Sequence, residues 1–510
     1  MFVKYFLWMV LLCFFISCSN SGGGSSNQEK SKEEFSFLFQ YGNSSSIGKS
    51  DKQDFCQAVA VDTSNNIFCA GSTKGSLDGL NSGGFDWFVI KLNAQGEKQW
   101  LKQFGTASDD FLEGIVIDND GKIILTGCTK GSFTTETNGG DCDILVLKLE
   151  DSGEIVWSLQ VGAEQADNYD FITDTSGFDT CLKVASDANG NIYCGGFTQG
   201  SLADTIEVNE GNQDLFVMKI NSSGTIQWIT QLGSTVKAFE DADTVNEESC
   251  SDIAVSSDGS SIYCAGSTYS SLGEEHSEIL GAADKDSFLL KLNSSGEISW
   301  LKQLGKISQE SSENSADDYF YSIALNSNGD PICAGSTNGS MGEDNSANNN
   351  YDILLMKFDQ DNGNILWKKQ LGATTKDLGF SSADNTQDDE CYALYIDKND
   401  YIYCGGSTIG NLGDFAADEN FGEYDAFIMK FDNDGELIWT TQFGNTIEAT
   451  NSTYDFSKSE IISDITVDSD GSIIAVGSTY GDFVEDNLGK DIQDENLDLL
   501  ILKLKSSGEL

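Results

Sequence analysis

The stretch IFCAGST at residues 67–73 ends in the tripeptide Gly-Ser-Thr, and this tripeptide or a near copy returns along the whole chain. Its seven copies begin at Gly71, Gly127, Gly196, Gly266, Gly335, Gly406 and Gly477. The successive gaps are 56, 69, 70, 69, 71 and 71 residues, which is the signature of a tandem repeat. The 33 residues after Gly477 and the 36 residues from Phe35 to Gly71 together make one further period of 69. A period shared between the two ends predicts a closed ring rather than an open solenoid.

Each repeat contains four short runs of β-forming residues, bounded by Gly, Asn, Asp and Ser. In the first repeat these runs are residues 58–61, 67–70, 87–90 and 99–104. Tight polar turns with glycine, such as residues 118–121 and 293–296, join the runs in pairs and are typical of hairpins. The sequence therefore predicts an all-β fold, a seven-bladed β-propeller of four-stranded antiparallel blades. The run at residues 37–42 is expected to complete the last blade at the carboxyl end and so close the ring.

The recurring positions are similar to a known bacterial repeat. An Asp and a Lys five residues apart recur in all seven repeats, as at Asp86 and Lys91. A Trp followed three residues later by Gln recurs in six, as at Trp100 and Gln103. With Gly-Ser-Thr, this pattern resembles the bacterial seven-bladed β-propeller repeat of the SBBP type over roughly residues 34–510. The resemblance implies the fold but no activity, because propellers have many unrelated functions, and we interpret the repeated pairs as structural contacts.

The amino terminus has the features of an export signal. Lys4 precedes an apolar run from Tyr5 to Ile16, which is shorter than the ~20 residues that a helix needs to span a bilayer. Cys18 follows and resembles the lipid-modified cysteine of a bacterial lipoprotein; an ordinary secretory signal is the alternative. Residues 1–17 are thus expected to be a signal peptide, residues 18–33 a flexible tether and residues 34–510 the propeller. This organisation predicts a bacterial cell-envelope protein, anchored by lipid at the outer membrane or cell surface.

The composition argues against several classes of function. The chain has 29 basic and 82 acidic residues, a net charge of −53, so it would repel the phosphates of nucleic acid. It contains no arginine, which excludes a sialidase-type glycosidase that grips a carboxylate with arginines. His276 is the one histidine and no Gly-x-Ser-x-Gly motif accompanies it, so a hydrolytic triad is not expected. The sequence predicts that the protein is not an enzyme.

One face of the predicted ring carries the long connections between blades, which range from 6 residues (106–111) to 18 (163–180 and 373–390). Variable loops on a rigid scaffold are where binding usually occurs. The candidate binding residues in these loops are Asp109, Asp110, Glu240, Asp241, Asp243, Asp317, Asp318, Asp388, Asp389 and Glu390. No loop has the spacing of a calcium motif, so neither a metal nor a cofactor is expected, with Ca²⁺ at the clustered carboxylates as the alternative.

These observations predict a monomeric, lipid-anchored, extracytoplasmic binding protein. Its ligand is expected to be a protein or a glycan, recognised through the acidic loops. A periplasmic scaffold for envelope assembly is the alternative, and a hydrolase with a site at the central channel is less favoured.

The cysteines recur with the repeat. Cys56, Cys181, Cys250 and Cys391 stand 13 or 14 residues before Cys69, Cys194, Cys264 and Cys404. In a regular hairpin Cys56 would face Ser72 rather than Cys69, so a disulfide within a blade is expected only if a bulge intervenes. Whether Cys128 and Cys142 pair is left open by the sequence.

Overall fold

The computed structural model describes residues 37–41, 53–78, 81–133, 141–163, 177–202, 213–233, 247–269, 271–272, 285–305, 317–341, 350–372, 388–410, 412, 424–444, 459–479 and 498–507. Within these residues the chain forms 28 β-strands in seven four-stranded antiparallel sheets. One compact unit spans Glu34–Leu510, and Met1–Glu33 form a second unit outside the described residues. The all-β, seven-bladed fold predicted from the sequence is confirmed.

Strands are numbered in chain order, and β1 (Phe37–Tyr41) belongs to the last blade. Blade 1 comprises β2 (Asp54–Val61), β3 (Ile67–Thr73), β4 (Asp86–Leu92) and β5 (Lys98–Phe104). Blade 2 comprises β6 (Asp110–Ile117), β7 (Ile123–Thr129), β8 (Asp143–Leu149) and β9 (Ile155–Val161). Blade 3 comprises β10 (Asp179–Ser186), β11 (Ile192–Thr198), β12 (Asp214–Ile220) and β13 (Ile226–Leu232).

Blade 4 comprises β14 (Glu248–Val255), β15 (Ser261–Thr268), β16 (Asp286–Asn293) and β17 (Ile298–Leu304). Blade 5 comprises β18 (Asp318–Leu325), β19 (Pro331–Thr337), β20 (Asp352–Phe358) and β21 (Ile365–Leu371). Blade 6 comprises β22 (Asp389–Ile396), β23 (Ile402–Thr408), β24 (Asp425–Phe431) and β25 (Leu437–Phe443). Blade 7 comprises β26 (Glu460–Val467), β27 (Ile473–Thr479), β28 (Asp498–Leu504) and β1.

The first strand of each blade is its inner strand, and consecutive inner strands contact one another from β2 round to β26 and back to β2. Blade 7 is assembled from both ends of the chain, because β1 pairs antiparallel with β28, with Phe37 opposite Lys503 and Tyr41 opposite Leu499. Blade 7 also contacts blade 1, where the Val59 N–H donates to Asp464 Oδ2 at 2.9 Å. The seven blades therefore surround a central channel.

The hydrophobic core lies between the blades. At one interface Val59 and Ile67 of blade 1 pack with Ile474 and Val476 of blade 7. All seven residues of β3 are buried because its sheet has a neighbour on each face, which explains the near-continuous apolar runs in the sequence. Each fully buried Val, Leu or Ile side chain contributes about 1.5–3 kcal/mol, so blade stacking is the main stabilising contact.

Every inner strand contains a β-bulge that the sequence pattern did not predict. In blade 1, Cys56 opposes Gly71 and Ala58 opposes Ala70, so Gln57 is an extra residue. The same shift occurs at the same position in the other six blades. The bulge brings the Cα atoms of Cys56 and Cys69 to 5.9 Å, within reach of a disulfide.

The sequence left disulfides within blades conditional on a bulge, and the structure meets that condition. The structure pairs Cys56–Cys69, Cys181–Cys194, Cys250–Cys264 and Cys391–Cys404. Cys128 and Cys142 form a fifth disulfide at a different position of blade 2. Among the described cysteines, Cys333 is free and buried, because Phe320 occupies the place of its partner.

Candidate functional site

Four of the predicted binding residues are strand residues rather than loop residues, and three of these four begin their strands. Asp110, Asp318 and Asp389 are the first residues of β6, β18 and β22, and each is at most 1% exposed. Asp110 accepts a hydrogen bond from the Thr129 hydroxyl of the Gly-Ser-Thr copy on the next strand, and Asp389 accepts one from Thr408. Burial raises the pKa of Asp110 to about 6. These carboxylates lie inside the scaffold, which corrects their assignment to the exposed loops.

Three further predicted residues join neighbouring blades. Asp109 Oδ1 accepts the Phe85 N–H at 3.0 Å, across the interface from blade 2 to blade 1. In the same way Asp317 accepts the Lys285 N–H at 2.9 Å and Asp388 the Tyr351 N–H at 3.2 Å. The structure therefore uses these carboxylates to connect blades at the face that carries the long connections, here called the loop-side face. Cys18, Glu240, Asp241 and Asp243 lie outside the described residues.

The repeated Asp, Lys, Trp and Gln positions also make structural contacts. Gln103 Nε2 donates to Asp86 Oδ2 at 2.8 Å, and its counterparts repeat this bond in other blades. Lys148 forms an ion pair at 2.8 Å with Asp118 in the turn between β6 and β7. The Trp100 indole N–H donates to the Asp151 carbonyl of the next blade at 3.2 Å. Repetition at these positions holds the ring together, as the sequence had suggested.

The bulged residue is the fourth of each inner strand and lines the channel. It is partly exposed in six of the seven blades. The inner strands have a blade on each side, so this exposure is towards the channel. This channel ring consists of Gln57, Glu113, Leu182, Ser251, Tyr321, Tyr392 and Ser463. It contains five residue types, whereas the first residue of the same strands is always Asp or Glu. The channel-lining position could thus have been found in the sequence as the position of the inner strand at which the residue type varies between repeats.

In three blades the residue that follows the bulge is charged, and these side chains interact across the channel. Asp464 of blade 7 and Asp252 of blade 4 accept backbone N–H groups of the next blade, from Val59 and Ile323, both at 2.9 Å. Burial lowers the pKa of Lys183 in blade 3, but attraction to Asp464, Asp252 and Glu113 more than offsets this and leaves the pKa above its usual value. Because Asp464 lies three blades away from Lys183, this attraction acts across the channel.

Glu113 of the channel ring has an unusual proton affinity. Burial raises the pKa of Glu113 to about 7, and the nearby Lys183 lowers it only in part. Glu113 therefore changes charge near neutral pH.

Glu390 lies in an aromatic cluster between blades 5 and 6. The Tyr321 hydroxyl donates to Glu390 Oε1 at 3.1 Å, and the Tyr392 hydroxyl donates to Oε2. The rings of Tyr321 and Tyr392 lie 5.4 Å apart, and Tyr319 stacks on Tyr321 at 5.5 Å. Glu390 is 7% exposed, and its burial raises the pKa to about 7 despite the bonds from the two hydroxyls. Of the predicted acidic residues that the structure describes, Glu390 is the one that lies together with channel-lining side chains.

Other aromatic residues lie near the loop-side ends of the strands. Phe85 lies 5.9 Å from Phe55 and 5.4 Å from Phe111, between blades 1 and 2. Lys285 Nζ lies 4.5 Å from the ring centroid of Tyr269 and 5.5 Å from that of Tyr319. Aromatic walls with a few polar groups are typical of binding sites.

No group of three or more metal-binding side chains occurs among the described residues. Within the same part of the chain, no helix has the length and apolar character needed to cross a membrane.

Comparison with known proteins identifies the repeat. The family model "Beta-propeller repeat" (SBBP) matches residues 47–78 and 366–413. An uncharacterized WD repeat-containing protein of Acanthamoeba polyphaga mimivirus is 27% identical over 166 residues, which cover 29% of this chain and only 12% of that protein.

Solved structures match this chain at low similarity. An ulvan lyase, a polysaccharide lyase, is 12% identical, with 92% of this chain and 96% of that chain covered and a TM-score of 0.47. Hydrazine synthase of Kuenenia stuttgartiensis is 9% identical, with 84% and 95% covered and a TM-score of 0.43. Similarity at this level says nothing about the chemistry of this chain. The two matched stretches and the seven blades together support a β-propeller built from repeats of the SBBP type.

Proposed function

We propose that this protein is a lipid-anchored, extracytoplasmic binding protein that recognises a macromolecular ligand at the loop-side face and the adjoining channel. The observation that supports it is the contrast between constant and variable positions. The residues that connect the blades recur, whereas the channel ring differs from blade to blade. Tyr321 and Tyr392 belong to the adjacent blades 5 and 6, and Glu113 belongs to blade 2. A scaffold that repeats around an irregular centre is suited to selective recognition.

Site-specific photo-crosslinking tests the binding site. A photoreactive phenylalanine analogue would replace Tyr321 in the full chain, expressed in its own cells. Gln99, which is exposed on the outer strand β5, is the control position. We expect a defined crosslinked species from position 321 and none from position 99. Equal crosslinking at the two positions, or none at 321, would contradict a channel-side site.

The location is tested separately. A Cys18→Ser variant should lose incorporation of a labelled fatty acid and leave the membrane fraction. Protease added to intact cells, with a periplasmic protein and the purified chain as controls, distinguishes the two envelope locations. Digestion favours ligand capture at the surface, and protection until the outer membrane is opened favours the scaffold for envelope assembly.

A hydrolase with a site at the channel remains a second candidate because of two carboxyl groups. Glu113 and Glu390 each have a pKa raised to about 7 by burial, the range in which a carboxyl group can act as a general acid or base. The purified chain would be assayed with chromogenic glycosides and esters. Turnover that disappears in Glu113→Gln or Glu390→Gln, but persists in Glu297→Gln on an exposed hairpin, would replace the binding proposal.

A further inference from the structure

We propose that Tyr321, Tyr392 and Glu390 form a binding site for the ammonium group of a lysine side chain presented by a protein ligand. This inference rests on the proposed binding function and specifies the class of partner. The three residues belong to β18 and β22, the inner strands of adjacent blades.

The geometry combines two aromatic rings with one carboxylate. Tyr321 and Tyr392 are both bulged residues of the channel ring and are partly exposed, with ring centroids 5.4 Å apart and an interplanar angle of 45°. Each Glu390 oxygen accepts one tyrosine hydroxyl. A carboxylate offers about four acceptor positions, so Glu390 retains capacity for the donors of an ammonium group. A cation within about 6 Å of a ring centroid is attracted to the ring face.

The same fold already holds lysines in such surroundings, and Lys285 is an example. Lys285 Nζ lies over Tyr269 and Tyr319, at 4.5 and 5.5 Å from the ring centroids, and 4.0 Å from Glu247 Oε2. Lys285 is 5% exposed, and this burial lowers its pKa to about 8 in spite of Glu247. Tyr321 and Tyr392 remain partly exposed, so an entering ammonium group would lose less hydration there than Lys285 does.

Charge favours a cation over other ligands. The whole chain carries −53, and in the described part of the channel Lys183 interacts with three carboxyl groups, those of Glu113, Asp252 and Asp464. A field of this sign concentrates cations in a narrow channel and repels anions. The four-carbon stem of lysine lets its ammonium group enter while the partner's backbone stays at the mouth. A basic protein segment therefore fits better than a neutral or acidic glycan.

The protonation of Glu390 distinguishes a lysine from a stacked neutral sugar. The groups that act on this carboxyl are Tyr392, Tyr321 and Ser336, which stabilise its charge, and Asp388, which opposes it. Below pH 7 Glu390 is mostly neutral, and above it mostly charged, because its pKa is about 7. Lysine binding should therefore tighten by about tenfold between pH 6 and pH 8, as the charged fraction rises. Sugar stacking on the same rings would show little change.

The test is calorimetry on the purified full chain with Nα-acetyl-lysine amide, at pH 6 and pH 8 and constant ionic strength. Nα-acetyl-norleucine amide, which lacks the ammonium group, is the matched probe. We expect binding of the lysine probe alone. Glu390→Gln should abolish the pH dependence, and Tyr392→Ala should weaken binding at least tenfold. Glu297→Gln is the matched control, because Glu297 is exposed on the hairpin of blade 4, and it should bind like the original chain.

Three results would overturn the inference: no binding of the lysine probe at pH 8, equal binding of both probes, or the same affinity at pH 6 and pH 8. Thermal melting of each variant checks that it folds. If Tyr392→Ala does not fold, Tyr392→Phe replaces it, because this variant keeps the ring and removes only the hydroxyl. Without the bond from that hydroxyl the pKa of Glu390 rises, so Tyr392→Phe should need a higher pH for the same affinity. If crosslinking from position 321 still captures a ligand while the lysine probe fails, the inference is wrong and the proposed binding function stands.

Discussion

Two lysine–carboxylate pairs in blade 2 should differ greatly in their contribution to stability. Lys148 and Asp118 lie 2.8 Å apart, and their side chains are 7% and 1% exposed. Lys122 and Glu150 also form an ion pair, but their side chains are 30% and 47% exposed. Removing one member of a buried pair leaves the other charge buried without compensation, whereas an exposed charge is solvated by water.

Replacing each lysine by methionine keeps the length of the side chain and removes the charge. We expect Lys148→Met to lower the free energy of unfolding by about 3–5 kcal/mol, the usual cost of an unpaired buried charge. Lys122→Met should leave it nearly unchanged, because both partners of this pair are exposed to water. Asp118 also accepts the N–H groups of Asp120 and Lys122, both at 2.9 Å, so those bonds remain in both variants.

The assay is urea unfolding of the purified chain, followed by tryptophan fluorescence, with the midpoint and slope compared between variants. Nearly equal losses for the two variants would refute the argument, since it depends on the difference in burial. A loss below about 1 kcal/mol for Lys148→Met would do the same, because water would then be compensating Asp118.

The remaining predictions concern the disulfides, pH and the closing strand. Reduction of the Cys56–Cys69 disulfide, or its replacement by Cys56→Ser with Cys69→Ser, should cost about 3 kcal/mol, and non-reducing mass spectrometry should find ten cysteines protected from alkylation. Glu113 holds its proton up to a pKa of about 7 in the folded chain but only to about 4.3 when unfolded, so stability should fall as pH rises from about 4 to 7. Glu113→Gln should flatten that slope in urea titrations; an unchanged slope would show that Glu113 is well hydrated. Deletion of residues 34–42 removes β1 and should lower the melting temperature of the whole ring, and an unchanged cooperative melt would contradict closure by that strand.

The fold was predictable because the residues that build it recur. Thr73 ends the first Gly-Ser-Thr copy and donates its hydroxyl to Asp54, a contact that repeats in other blades and needs a threonine and a carboxyl side chain each time. Such positions appear as a period in the sequence. Fully buried second strands likewise appear as continuous apolar runs. A contact that every blade makes can therefore be inferred from the sequence, because its residues recur with the repeat.

The bulge and the candidate site were not predictable in the same way. An extra residue such as Gln57 leaves no mark in an apolar pattern, and without it the cysteines of a blade face apart. Asp110 and Asp389 were placed in loops because each follows acidic residues in the sequence, yet both begin strands. Tyr321 and Tyr392 come together only because the ring sets β18 beside β22. Sequence distance alone gives no reason to pair them.

The joining of β1 to β28 has a consequence for biogenesis. A chain made from its amino end can stack its first six blades in turn, but Phe37 meets its partner Lys503 only after β28 has been made. Until then β1 has no strand to pair with, and the face of blade 1 that packs against blade 7 lacks its neighbour. Unpaired strands of this kind invite aggregation, so the nascent chain needs protection until its last strand arrives. A chain that stops before β28 is an open ring, which quality-control proteases can recognise by its exposed edge.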